Sequence, residues 1–346
     1  RISYVGRLNY NFQEKYLFSA SYRKDASSRF GKNKRCGGFP AASIGWNLAK
    51  ESFMESIPSI SNLKLRASWG QAGNDKIRDY SYSSTLTSNM YYVINGQAVQ
   101  GTTQGGAANP DLQWESTTMT NLGLDLGLFR NQFTMALEYY MNKSDQLLMQ
   151  VPLTLSNGDW LGVISKNAGS MDTKGFELQL GYNDFEGAFQ WNAALNLGTF
   201  KNEVKSLGGA TYISGFNFEN EDLNRCKIGE PAFFFYGWDF DGIFQSAADA
   251  ESYMGGTQHA LNAATAGDFR IKDTNGDGAI TAEDRTNIGN PFPKMTLGLD
   301  LNASYMGFDI NVFIAGVYGN KLYNTNIYDL QGMPRLFNAG VEVLDR

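Results

Sequence analysis

Asp273, Asn275, Asp277 and Asp284 place oxygen-bearing side chains at the first, third, fifth and twelfth positions of Asp-Thr-Asn-Gly-Asp-Gly-Ala-Ile-Thr-Ala-Glu-Asp. Gly278 stands at the sixth position, where the chain must turn sharply, and Ala279 offers its carbonyl at the seventh. Hard oxygen donors at this spacing are what a Ca²⁺ loop requires. The closing residue is Asp in place of the usual Glu, which weakens bidentate closure, and no long amphipathic helix flanks the loop. A paired helix-loop-helix sensor is therefore not expected, and a structural Ca²⁺ is. The other reading of these residues is a solvated Asn-Gly/Asp-Gly turn that holds no metal.

Other chemistry finds little support. A single histidine, His259, gives little basis for a Ser-His-Asp site or a His-rich metal centre, since both need imidazole in a defined constellation, and it reads as an exposed loop residue. Cys36 and Cys226 are far apart with no CxxC spacing, which excludes a zinc ribbon and leaves either one disulfide or two thiols. The carboxylates of Glu219, Glu221 and Asp222 resemble a glycosidase pair only in composition, since nothing fixes their separation, so no enzyme is expected. Gly101 to Asn109 lacks the strand-turn-helix context of a phosphate loop and reads as a flexible loop. Phe233 to Tyr236, Trp238, Phe240 and Phe244 form an aromatic group that either meets a lid protein or sugar rings, or builds a small satellite core. A formal charge of -6 and a sequence pI near 5.0 over 346 residues exclude a nucleic-acid footprint.

The elements that must carry these residues are strands. Leu122, Leu124, Leu126 and Leu128 alternate with Asn121, Gly123, Asp125 and Gly127, the period-two signature of a strand with one apolar and one polar face. Phe133 to Met141 repeats the pattern after a three-residue turn, and so do Phe176 to Tyr182 with Phe189 to Leu197, and Leu297 to Tyr305 with Phe308 to Ile314. With runs near 2–12, 16–24, 39–49 and 62–70, about ten long strands are expected. Short turns alternate with long loops near 71–115, 145–171 and 201–294, and the segment 50–61 is a medium turn on the short side. That alternation is the plan of an antiparallel outer-membrane β-barrel. A soluble β-sandwich shares the strand pattern. The Asn, Gln, Gly and Ser of the polar face, together with aromatics near strand ends, favour a hydrated lumen and an interfacial girdle. On this reading Leu122, Leu124, Leu126, Leu178, Leu180, Leu195, Leu197, Leu299 and Leu301 face lipid, while Asn121, Asp125, Gln179, Asn196 and Asp300 face the lumen. No run of eighteen apolar residues forms a transmembrane helix.

Several blocks in order give the chain a wider likeness. They are Asn9 to Phe18, Arg23 to Gly31 with Phe39-Pro40 and Gly45-Trp46, Leu63 to Gly70 with Gly73-Asn74, and Asn109-Pro-Asp-Leu-Gln-Trp-Glu115. Asn167-Ala-Gly169 with Gly175-Phe-Glu177, Gly229-Glu-Pro231, Phe235-Tyr-Gly237 with Gly242 to Gln245, and Asp273 to Gly278 with Asp284-Arg285 and Ile288-Gly289 complete the set. In these blocks the chain resembles the SusC/RagA-type TonB-dependent outer-membrane transporters, although Ala26 stands where that family usually has Gly and Cys36 is unusual in its loop. The resemblance implies that residues 1–346 are an internal piece of a roughly twenty-two-stranded barrel, with a long extracellular insertion at 201–294 and with plug and TonB-contacting segments elsewhere. It also implies residence in the outer membrane, a SusD-type surface lipoprotein and the TonB complex as partners, and a glycan or peptide as imported cargo. A soluble calcium-dependent carbohydrate-binding β module is the alternative.

Overall fold

The computed structural model describes residues 1–153, 162–219, 221–253, 264–332 and 338–345, so His259 lies outside the described residues. Two compact units are present. The first comprises Arg1–Ile213, Lys227–Ala232 and Lys294–Val317, the second Ser214–Cys226, Phe233–Pro293 and Tyr318–Arg346.

Strands β1 (Ile2–Phe12), β2 (Tyr16–Ala26), β3 (Cys36–Asn47) and β4 (Ile60–Asn74) open the first unit. A separate hairpin, β5 (Thr85–Ile94) and β6 (Gln97–Gly106), follows, then β7 (Glu115–Leu128), β8 (Phe133–Pro152), β9 (Val163–Asp184), β10 (Phe189–Thr199) and β11 (Lys201–Leu207). Next come β12 (Tyr212–Ser214), β13 (Asn217–Phe218), β14 (Glu221–Asp222), β15 (Asn224–Lys227), β16 (Phe234–Gly237) and β17 (Phe240–Ile243), then α1 (Ala247–Ser252), β18 (Phe269–Ile271) and β19 (Thr286–Gly289). β20 (Met295–Tyr305), β21 (Phe308–Tyr318) and α2 (Thr325–Gln331) end the series. The main sheet runs β1-β2-β3-β4-β7-β8-β9-β10-β20-β21, with β11 added beside the outer part of β9. Each of its strands pairs with the next one the topology offers, the up-and-down order of a barrel wall. No helix among the described residues is long and apolar enough to cross a membrane.

In the main sheet, tight turns join successive strands at one end. β1–β2, β7–β8 and β20–β21 are connected through left-handed residues, among them Gln13 (φ 54), Arg130 (φ 57), Met306 (φ 49) and Gly307 (φ 81). Positive φ is the geometry that short hairpins need to follow the strand twist. β3 and β4 are joined at the same end by two 3-10 turns at 48–54.

At the other end the expected loops contain more structure than the turn signals suggest. Of the expected loop 145–171, residues 145–152 and 163–171 are strand. β8 and β9 continue as a paired extension to Pro152↔Val163, past register shifts at Asp145/Leu147 and Leu147/Leu148. The shifts break the strict alternation by which the strand would have been recognised. Gly101 to Gly106 is likewise strand, paired with β5 around an Asn95-Gly96 turn. Gly101 lies under the ring of Tyr92, where an added Cβ would come within 2.2 Å of it.

In the second unit Phe234, Phe244, Ala250, Ile271 and Ile280 are buried and form its small core. β16 pairs with both β15 and β19. Cys36 and Cys226 are both free thiols, and burial raises the pKa of Cys226.

Candidate functional site

The register of the main sheet assigns every strand residue to one of two faces. A single row crosses nine strands as Phe12, Tyr16, Trp46, Leu65, Leu124, Leu137, Leu178, Leu197 and Leu297, each opposite the next. All nine leucines expected to share an apolar face lie on this side, because Leu122, Leu126, Leu180, Leu195, Leu299 and Leu301 are reached by steps of two along the same strands. The opposite face carries Asn9, Ser19, Ser43, Ser68, Asn121 and Tyr140 in one row and Lys64, Asp125, Ala136, Gln179 and Asn196 in another. Asp300 shares that face opposite Ala194.

The apolar face is open. Ile44 is 61% exposed, Leu122 54% and Phe176 53%, values that a water-facing sheet would not sustain over so many strands. On the polar face Arg66 forms a two-pronged ion pair with Asp125 (2.8 and 3.0 Å) and reaches Glu138 at 3.3 Å. This charge cluster lies on the face opposite the leucines.

Aromatic side chains gather on the apolar face at the short-turn end. Tyr10, Phe12, Tyr16 and Trp46 stack in a row at 6.4–6.5 Å between ring centres, and Tyr182–Trp191 (4.8 Å) and Phe189–Tyr305 (6.3 Å) continue the series on later strands. Glu51 fixes the row from the 3-10 turns by accepting bonds from the Tyr16 hydroxyl (2.8 Å), Trp46 Nε1 (3.1 Å) and Lys15 Nζ (3.2 Å). The Trp46 and Tyr16 hydrogen bonds and the Lys15 charge hold the Glu51 carboxyl below its ordinary value. Tyr and Trp, apolar in body and polar at the tip, suit a membrane-water boundary.

Three of the blocks that carry the family likeness, 23–40, 63–74 and 109–115, meet at the long-loop end. Phe30, Phe39, Leu112 and Trp114 form a buried cluster, with Phe30 and Phe39 at 5.4 and 5.5 Å from the Trp114 ring and with Ile77 and Leu148 packed against it. Asn109 donates to the Ser165 carbonyl, Asn74 donates to Glu115, and Glu115 accepts from the Leu148 N–H. Sequence reasoning found these residues as separate words. Their contacts, some spanning more than fifty residues, are visible only in the fold.

In the second unit the side chains of Asp273, Asn275, Asp277 and Asp284 are engaged mainly with backbone N–H groups of their own loop. Asp273 accepts from the N–H groups of Gly276 (2.6 Å) and Gly278 (2.8 Å), Asn275 from Asp277 (2.9 Å), and Asp277 from Ala279 (2.8 Å). Gly276 (φ +77) and Gly278 (φ +84) take left-handed conformations that side chains resist. Asp284 is fully buried and accepts from Thr274, Asn275 and Thr281 N–H groups. Burial would raise its pKa, but those backbone hydrogen bonds outweigh that effect and lower it. Asp284 therefore closes the loop through backbone amides. Among the described residues no three His, Cys, Asp or Glu side chains are grouped as a metal cluster, and the loop's donor set relies also on the Asn275 amide and the Ala279 carbonyl.

The acids of the same unit are tied to arginines. Arg225 pairs with Asp222 (2.6 Å) and Arg285 with Glu221 (2.6 Å), and both guanidinium groups lie against the Tyr236 ring at 3.7 and 4.8 Å. Burial pulls the Asp222 pKa up, but the Ser214 and Arg225 hydrogen bonds prevail and hold it below its usual value. Of the aromatic group, Phe234 and Phe244 belong to the core, while Phe233 and Phe240 remain exposed.

The TonB dependent receptor-like, beta-barrel family model matches residues 2–332. TonB-dependent receptor P3 of Formosa agariphila is 32% identical over 336 residues, covering 95% of this chain and 33% of that protein. TonB-dependent receptor SusC of Bacteroides thetaiotaomicron is 28% identical over 334 residues, covering 93% and 31%. The solved structure of the RagAB peptide transporter superposes with a TM-score of 0.77 at 26% identity, covering 95% of this chain and 34% of the other. The chain spans about a third of the length of these relatives. It belongs to the TonB-dependent receptor-like β-barrel family, and its main sheet is part of an outer-membrane barrel wall.

Proposed function

We propose that this chain contributes to TonB-dependent import of a peptide or glycan across the outer membrane, together with a SusD-type surface lipoprotein. The observation that carries the reading is the row from Phe12 to Leu297, apolar on one face across nine strands while the other face stays polar. Lipid demands the first face and a hydrated lumen the second. β1 and β21 end the sheet with every residue exposed, and unpaired edges cannot stand in hydrocarbon, so further strands of the full-length protein complete the wall. A lumen too wide for side chains to fill needs either a channel or a plug, and TonB-dependent import implies a plug. The likeness to a peptide transporter supports peptide cargo, and a polar lumen wall equally admits a glycan. A soluble carbohydrate-binding module would have to hide the apolar face, which is open here. No catalytic step is invoked, since Glu221 and Asp222 are held by arginines.

Asp273, Asn275, Asp277 and Asp284, with the Ala279 carbonyl, are proposed to hold one structural Ca²⁺. The spacing of the oxygen donors supports this reading, and a hard cation would offset the repulsion among the carboxylates. The insertion around them, 201–294, would then stand on the extracellular side, where calcium is plentiful.

Uptake of labelled oligopeptides and oligosaccharides by cells carrying the full-length protein and its partner lipoprotein tests the reading. Uptake that requires both TonB and the lipoprotein supports it. Uptake indifferent to TonB would exclude it.

A further inference from the structure

The long-loop end of the sheet is basic although the chain is acidic. Residues 27–35 carry Arg29, Lys32, Lys34 and Arg35 without a single Asp or Glu, against a net charge of -6 for the whole chain. A neighbouring loop adds Lys76 and Arg78. Arg29, Lys76 and Arg78 line one cavity of about 390 Å³ with Ile77, Leu148 and Met149.

Of the two nearby acids, one lies toward Arg1 and the other pairs with Arg29. Asp75 lies 3.6 Å from Arg1, and its backbone carbonyl accepts a bond from Arg29 Nη1 at 3.2 Å. Asp79 pairs with Arg29 Nε at 3.0 Å and so orients that guanidinium. Among the described residues, Lys76 and Arg78 have no ion-pair or hydrogen-bond partner for their side chains. Ile77 and Leu148 rest on the buried Phe30–Trp114 cluster, which fixes the cavity's apolar part.

Three cations converging on one cavity repel one another, and two of them lack a counter-charge. An anion relieves that cost and gains charge-assisted bonds. We infer that this cavity is a binding site for the anionic group, carboxylate, sulfate or phosphate, of a ligand with a partly apolar body. A local positive field in an acidic protein also raises the encounter rate of such ligands over neutral ones. The anion comes either from soluble cargo, in which case the inference deepens the import reading and rests on it, or from a lipid headgroup of the outer leaflet.

The test uses the full-length protein with its partner lipoprotein in detergent. Probes are a fluorescent oligogalacturonate, a neutral malto-oligosaccharide of equal length, and labelled lipopolysaccharide. Lys76→Glu with Arg78→Glu, both at exposed positions, should weaken one anionic probe about tenfold or more, whereas Lys32→Glu should leave it unchanged and the neutral probe should be indifferent. Dependence seen with oligogalacturonate assigns the site to cargo, and dependence seen with lipopolysaccharide assigns it to lipid. If neither anionic probe responds to the double substitution, or if Lys32→Glu weakens binding as much, the cavity is not an anion site. TonB-dependent uptake, measured separately in cells, reports on the import reading whichever way the binding result falls.

Discussion

The side chain of Asn167 pairs with the backbone of Gln113 as a neighbouring strand would, accepting from its N–H at 2.9 Å and donating to its carbonyl at 2.8 Å. The same amide also donates to the Gln146 carbonyl at 2.9 Å. One residue thus ties the segment before β7 to the extended β8–β9 pair. Asn167→Ala should cost about 1–3 kcal/mol, because partly buried backbone groups lose their partners. The loop 107–114 should then become the first site of protease cleavage at the long-loop end, and unchanged cleavage would count against this role.

Gly175 approaches the chain just beyond β10 so closely that an added Cβ would lie 2.0 Å from the Thr199 carbonyl oxygen. A backbone atom cannot swing aside as a side chain can. Gly175→Ala should therefore shift the junction of β10 and β11 and destabilise the folded barrel by about 1–3 kcal/mol. Denaturant unfolding in lipid vesicles measures the effect. Wild-type stability would mean that the two strands separate at no cost.

Glu51 supplies the pH dependence of the aromatic row. Its carboxyl titrates lower in the folded protein than in the unfolded chain, since the bonds from Trp46, Tyr16 and Lys15 favour the charged form. Stability from this clamp is complete above the ordinary carboxylate range, near pH 4.3, and is lost as pH falls through the lower folded value. In a variant retaining Trp46 as the sole tryptophan, emission should change below that range, and Glu51→Gln should show the acid-state emission already at neutral pH. A flat emission profile in both proteins would rule the clamp out.

The loop 273–284 should bind one Ca²⁺ per chain, with Asp277→Ala removing it. Metal content of the purified full-length protein and protease resistance of 201–294 should fall together. If neither changes, the loop is an acidic turn closed by Asp284 and nothing more.

Strand identity was written in the sequence wherever alternation was unbroken, as in Leu122 to Leu128 and Phe189 to Leu197. The period of two also fixed the side on which each residue stands. Alternation gave no notice of the β8–β9 extension, because the shifts around Leu147 put it out of phase, or of the hairpin at 85–106, where Gly101 packs beneath Tyr92 and does not merely loosen a loop. The Phe30–Trp114 cluster was legible only as family words. Its partners are far apart in the chain, and periodicity carries no information about which distant residues meet. The loop spacing singled out Asp273, Asn275, Asp277 and Asp284, but not that backbone amides claim both oxygens of Asp284.

The most direct measurement compares neighbours on opposite faces of β10. Leu195 stands between Leu180 and Leu299 on the apolar side, and Asn196 stands between Gln179 and Gly298 on the polar side. Folding free energies of Leu195→Arg and Asn196→Arg in bilayers should differ, the first losing about 2–4 kcal/mol and the second far less. Equal losses at the two positions would contradict a wall with lipid on one face and water on the other.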